Sequence, residues 1–158
     1  MLTIRSRAFP PGGSIPALHT CEGRDLSPAL EFSGIPAGTK SLALVVHDPD
    51  APDPQAPKRD YVHWVVYNLP ADCAGLPEGA GAAALPRGAR SGLNDWKREG
   101  YGGPCPPIGR HRYFFELLAL DAALPDLGSP TRLQLEQAAR GHVIETASLI
   151  GTYQKARV

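Results

Sequence analysis

Six side chains able to do acid–base or anion chemistry fall in three short stretches. Asp48 and Asp50 stand in HDPDAP, His63 in a Val-rich run, and His111, Arg112 and Tyr113 in GRHRY. Two imidazoles beside a carboxylate can donate N–H bonds to an anion, hold a metal ion, or move protons. Hydrolysis would also need a nucleophile or an activated water, and none is obvious in the sequence. Cys105, set between prolines, reads as a small buried residue, with a thiol activated by His111 as the open alternative. No glycine loop of the phosphate-cradling type is present.

These residues converge only if their segments are neighbours. Leu42–Val46 and Val62–Tyr67 are short, Val-rich and bounded by turn residues, so they read as strands. The first has almost no polar face and should be covered on both sides. The second alternates, with His63, Val65 and Tyr67 on one face and Val62, Trp64 and Val66 on the other. The DPDAPDPQAP segment between them reads as a stiff loop, because proline fixes φ and removes a donor. Arg112–Asp121 is a third strand, apolar on both faces and therefore central. It places His111 and Tyr113 on one side and Arg112 on the other, where a surface or loop carboxylate should pair with it. Asp50 serves either the site or a local Asx-type turn.

Further strands are expected at Leu2–Ile4, Leu30–Ser33 and Val143–Tyr153. The last should present Val143, Ala147, Leu149 and Tyr153 on one face. One helix is expected at Thr131–Arg140, capped by Ser129 or Thr131 and stopped by Gly141. Its apolar side would be Leu133, Leu135, Ala138 and Ala139. Residues 71–89 lack either periodicity and read as a surface excursion. Gly102 and Gly103 allow positive φ, and Pro106 and Pro107 stiffen the approach to His111. The two tryptophans, Trp64 and Trp96, read as packing residues.

The chain has 158 residues, and Lys+Arg and Asp+Glu both number 16. That length suits one domain spanning 1–158, and zero net charge argues against a nucleic-acid or anionic-membrane surface. Gly and Pro, 17 each, fit turns between many short strands. Three cysteines without CxxC spacing argue against a disulfide framework or a zinc site. No apolar h-region or membrane-length run occurs, so a reducing cytoplasm is the expected setting.

With these residues in view, DPDAP at 48–52, His63 on the next strand and GRHRY at 109–113 resemble the phosphatidylethanolamine-binding protein (Raf-kinase-inhibitor-like) family. NDWKREGYGGPCPP followed by HRYFFELLALD is similar to its bacterial and archaeal branch. The likeness runs from DLSPALEF to GTYQ. It implies a mainly β fold of two packed antiparallel sheets with one or two short helices, and a small anion pocket at one end. The pocket residues it implies are Asp48, Pro52, Tyr61, His63, Pro106, Pro107, His111 and Tyr113, with His63 and His111 donating to a phosphoryl oxygen and Asp48 accepting from a histidine. It also implies cis peptides at Ala51–Pro52 and Arg59–Asp60. Eukaryotic members carry a C-terminal helix over the pocket. This chain ends at Val158, so a more open pocket is expected, and lipid binding and kinase inhibition transfer poorly. The resulting expectation is a binding protein for a small phosphorylated or anionic ligand such as a lipid head group, without cofactor, metal or catalytic residue. A regulator inhibiting a kinase or protease is the alternative, a His/Asp-dependent hydrolase a weaker one, and a homodimer an open form of association.

Overall fold

The Leu- and Val-rich run at 42–46 is the middle of β3 (Ser41–Ala51), the central strand of a five-stranded antiparallel sheet. In a computed structural model of the chain, which describes residues 1–83 and 85–156, that sheet has the order β6 (Arg90–Ser91), β4 (Arg59–Pro70), β3, β7 (His111–Leu120), β8 (Val143–Tyr153). A three-stranded antiparallel sheet has the order β1 (Thr3–Arg5), β2 (Leu30–Ser33), β5 (Gly75–Leu76). The fold is thus mainly β, with a 3-10 turn at Ala17–His19 and two short helices, α1 (Ala80–Ala83) and α2 (Arg132–Ala139).

As its lack of a polar face requires, β3 is buried nearly throughout. Leu42, Leu44 and Val46 join Trp64, Phe115 and Leu117 in a core closed by Ile4, Leu30 and Phe32 of the small sheet. Ala43 and Val45 point the other way, into a second core with Val65, Tyr67, Leu120, Leu135 and Ala139 under α2. Full burial of one such aliphatic side chain is worth about 1.5–3 kcal/mol.

Several expectations change. β3 does not stop before the prolines: it runs through Pro49 to Ala51, with an irregular register between Asp48 and Ala51 that accommodates the missing N–H. Residues 71–89 contain β5 and α1; β5 forms because β2 supplies the pairing that the local sequence lacks. Gly75 is required there: its φ is +153°, and a Cβ would lie 2.1 Å from the Leu30 carbonyl oxygen. On α2, Leu135 and Ala139 are buried and Ala138 half-buried, but Leu133 is 63% exposed. Positions 135, 138 and 139 share a helical face that position 133 does not. Thr131 is the cap, in a capping box with Gln134, and Gly141 follows the helix with φ +83°. On β8, Leu149 and Tyr153 are buried, Ala147 is half-buried, and Val143 is exposed beyond a register shift in the β7–β8 pairing. The Ala51–Pro52 peptide is cis and Arg59–Asp60 is not.

Candidate functional site

Three strands deliver the site to one end of the core face. On β3, Leu42, Leu44 and Val46 are followed at the same period by Asp48; on β7, Phe115 and Tyr113 lead to His111. On β4 a bulge intervenes. Val46 pairs with Trp64 and His47 with Val62, so His63 is the extra residue. The bulge turns His63 to the Trp64 side, whereas strict alternation would have placed it with Val65 and Tyr67. It is Val62 that packs with those two in the second core.

These residues surround a cavity of about 440 Å³. All eight residues implied by the resemblance line it: Asp48, Pro52, Tyr61, His63, Pro106, Pro107, His111 and Tyr113. Ala51, Lys58, Arg59, Trp96 and Cys105 complete the lining, and no sequence pattern groups them. The PQAPKRDY run carries the two cations, but no periodicity says which way they point. Trp96 packs at the cavity wall. It makes edge contacts to Tyr61 (4.9 Å) and His63 (5.0 Å) and is also open to the cavity, while Trp64 is wholly buried. Gly102 and Gly103 are needed for close approach rather than positive φ. A Cβ on Gly102 would meet the Trp96 ring at 2.2 Å, and one on Gly103 the His19 carbonyl oxygen at 2.3 Å.

Hydrogen bonding fixes much of the protonation. His111 Nε2 faces the carbonyl oxygens of Ile108 (2.8 Å) and Pro52 (3.1 Å), so it carries a hydrogen. His111 Nδ1 lies 2.6 Å from Asp48 Oδ2, and the Asp50 amide donates to Asp48 Oδ1 at 2.7 Å. One proton is therefore shared between Asp48 and His111, and the pair is neutral overall. Burial raises the Asp48 carboxyl above its usual range, more than the His111 bond and the Asp50 amide lower it. Both His111 nitrogens are occupied and the residue is fully buried, so in this arrangement neither is free to donate to a ligand as the resemblance implies.

His63 is different. Its Nδ1 donates to the Gly102 carbonyl at 2.7 Å, and its Nε2 makes no hydrogen bond among the described residues. Burial pushes its pKa down to about 4, so the ring is neutral near neutral pH. Tyr113 hydroxyl is buried without a partner among the described residues. Burial first, and the neighbouring Asp48 carboxyl second, push its pKa far above the usual phenol range, so it keeps its proton. Asp50, for which the sequence allows either site or turn, accepts from Arg112 Nε (3.0 Å), Nη2 (2.9 Å) and backbone N (2.9 Å) on the opposite face. Arg112 thereby has its expected carboxylate partner, and Asp50 is structural.

The expectations for the cysteines, no disulfide and an unbridged Cys105, fail. Cys105 is neither a free buried residue nor a thiol: it forms a disulfide with Cys21, with Cα atoms 5.4 Å apart. The partners are 84 residues apart and meet only in the tertiary fold, so spacing gives no sign of them. Cys73 is free. Among the described residues no cluster of His, Cys, Asp and Glu is arranged to hold a metal ion, and no helix is long and apolar enough to cross a membrane.

Comparison with known proteins agrees with this geometry. Residues 5–154 match the family model described as phosphatidylethanolamine-binding protein. A UPF0098 protein of Methanothermobacter thermautotrophicus is 43% identical, over 98% of this chain and 99% of that one. A solved phosphatidylethanolamine-binding protein homologue from Chlamydia trachomatis superposes with a TM-score of 0.89 at 41% identity, over 98% of each chain. E. coli YbcL, described as a member of the mammalian PEBP family, superposes with a TM-score of 0.88 at 34% identity, over 98% of this chain and 99% of its own. The chain therefore belongs to the phosphatidylethanolamine-binding protein family, in which membership implies ligand binding.

Proposed function

We propose that the cavity binds the phosphoryl group of a small molecule or lipid head group, in its singly protonated form. The observation that carries this is the Tyr113 hydroxyl, a buried donor in the cavity wall beside Asp48 that makes no hydrogen bond among the described residues. An unmet buried donor costs roughly 1–3 kcal/mol, which an accepting ligand oxygen would recover. Beside it, neutral His63 offers an Nε2 lone pair that suits a P–OH donor. Lys58 at the rim supplies positive charge, Arg59 beside it is paired with Asp95 over the Tyr61 ring, and the neutral Asp48–His111 pair does not repel an anion. Tyr61, Trp96 and the prolines form apolar walls for the rest of the molecule, in a volume usual for small-ligand sites.

The second ionisation of a phosphate monoester lies near pH 6. Binding should hold one proton, on the ligand or on His63, and weaken as pH rises through that value. Calorimetry with O-phosphorylethanolamine, in buffers of different ionisation heat, tests this directly. Proton uptake above about pH 6, and a Kd raised about tenfold or more by Tyr113→Phe or His63→Phe, are the expected results. Equal affinity in all three proteins would refute the reading.

A further inference from the structure

One wall of the cavity, Tyr101–Pro107, has no regular secondary structure. It is tied to the 17–25 segment by the Cys21–Cys105 disulfide and by three hydrogen bonds. Cys21 N donates to the Pro104 carbonyl at 3.1 Å, Gly103 N to Asp25 Oδ1 at 2.8 Å, and Tyr101 hydroxyl to the His19 carbonyl at 2.7 Å. On its other side the same wall holds His63. The Gly102 carbonyl accepts from His63 Nδ1, and Gly102 N donates to the His63 carbonyl at 3.0 Å. The group that fixes the His63 tautomer thus sits three residues from a bridged cysteine.

We propose that Cys21–Cys105 is a redox-controlled tether of the binding pocket. Oxidised, it holds the wall so that His63 presents Nε2 to the cavity. Reduced, it lets the wall open and frees the imidazole. This rests on the phosphoryl-binding reading, since it regulates that same site.

The bridge is reachable. Cys21 is exposed, and Cys105 is half-buried and borders the cavity. A small dithiol can act as the reductant. Its thiolate attacks the Cys21 sulfur, the S–S bond breaks, and Cys105 leaves as a thiolate that takes up a proton. The second thiol, once deprotonated, attacks the mixed disulfide and releases Cys21. The dithiol becomes a disulfide, and the two cysteines gain two electrons and two protons. Cys73 does not compete: its sulfur bonds the Gly75 carbonyl at 3.1 Å, on the loop beside β5, and burial raises its pKa. Of the four links between the wall and the 17–25 segment only the bridge is covalent. Without it the three hydrogen bonds, no longer closed by a fixed anchor, can open to water.

The test uses the full chain, untreated and after a dithiol. Alkylation counted by mass spectrometry fixes the redox state: Cys73 alone is available before reduction, and all three cysteines after it. A thermal melt checks that the reduced protein is folded, and the Cys21→Ser/Cys105→Ser variant provides a second reduced-like state. Two quantities are then measured. The first is the Kd for O-phosphorylethanolamine, expected to rise about tenfold on reduction and to recover on reoxidation. The second is hydrogen exchange at the Gly102 and Gly103 amides, expected to quicken on reduction with or without ligand. Unchanged exchange and unchanged Kd in fully reduced, folded protein would overturn the tether. Quickened exchange in a chain that does not bind the ester even when oxidised would support the tether and refute the phosphoryl-binding reading.

Discussion

Asp48 is the residue whose replacement separates geometry from charge most cleanly. In Asp48→Ala two buried groups, His111 Nδ1 and the Asp50 amide, lose their hydrogen-bond partner. At roughly 1–3 kcal/mol each, the cost is about 2–6 kcal/mol. For a chain of this size that corresponds to a fall in Tm of roughly 4–24 °C. Asp48→Asn should behave differently. The amide oxygen can keep the Asp50 N–H, and the amide NH2 can donate to Nδ1 of a neutral His111. That histidine still donates through Nε2 to the Ile108 and Pro52 carbonyls. Only the charge assistance is lost, about 1–1.5 kcal/mol, or roughly 2–6 °C. Because the wild-type pair and the Asn–His pair are both neutral overall, affinity for O-phosphorylethanolamine should change by less than about threefold, under 0.7 kcal/mol. A Coulomb argument that counts Asp48 alone predicts distinctly tighter binding. Scanning calorimetry gives the Tm values, and imidazole 15N shifts report whether His111 in Asp48→Asn is the neutral Nε2–H tautomer. An Asn variant as damaged as the Ala variant, or a His111 protonated on Nδ1 at pH above about 7 in the Asn variant, would refute the assigned network.

Three other outcomes are expected. Val45 is 2% exposed in the core beneath α2, so Val45→Asp buries an unpaired carboxylate, and Tm should fall by about 10 °C or more; a melt close to wild type would contradict the position of β3. His47 lies 2.7 Å from both Asp60 and Glu116. Burial alone would lower its pKa, but bonds to Glu116 and Asp60 outweigh this and raise it above its ordinary 6.5. Its stabilisation is thus full below 6.5 and lost as pH rises through the raised value. Glu116, lowered chiefly by the His47 bond, contributes above its ordinary 4.5 and loses that contribution as pH falls. Urea titrations across this range should show the decline on the alkaline side, and Glu116→Gln should flatten it. Thr131→Ala removes the side-chain half of the α2 cap and should cost about 1 kcal/mol in the same titration, while Ser129→Ala should cost almost nothing.

Local sequence determined a good deal of this protein. Period and punctuation are properties of a few consecutive residues, so β3, β4, β7 and α2 were legible wherever the pattern was long. The paired carriers His111 and Tyr113 followed from the two-residue period of a strand, and the motif residues were recognisable because they are dense in Asp, His and Pro. Tertiary structure decided what depends on a partner. A single extra residue, His63, sits in the β4 bulge because β3 pairs across it, and that slip turned the imidazole into the cavity. β5 exists because β2 offers a strand edge, not because Gly75–Leu76 prefers one. The occupancy of both His111 nitrogens depends on carbonyls from Pro52 and Ile108, and the Cys21–Cys105 bridge joins residues 84 positions apart. Such pairings are set by which loops the two sheets bring together, a long-range outcome that residue type and spacing do not encode.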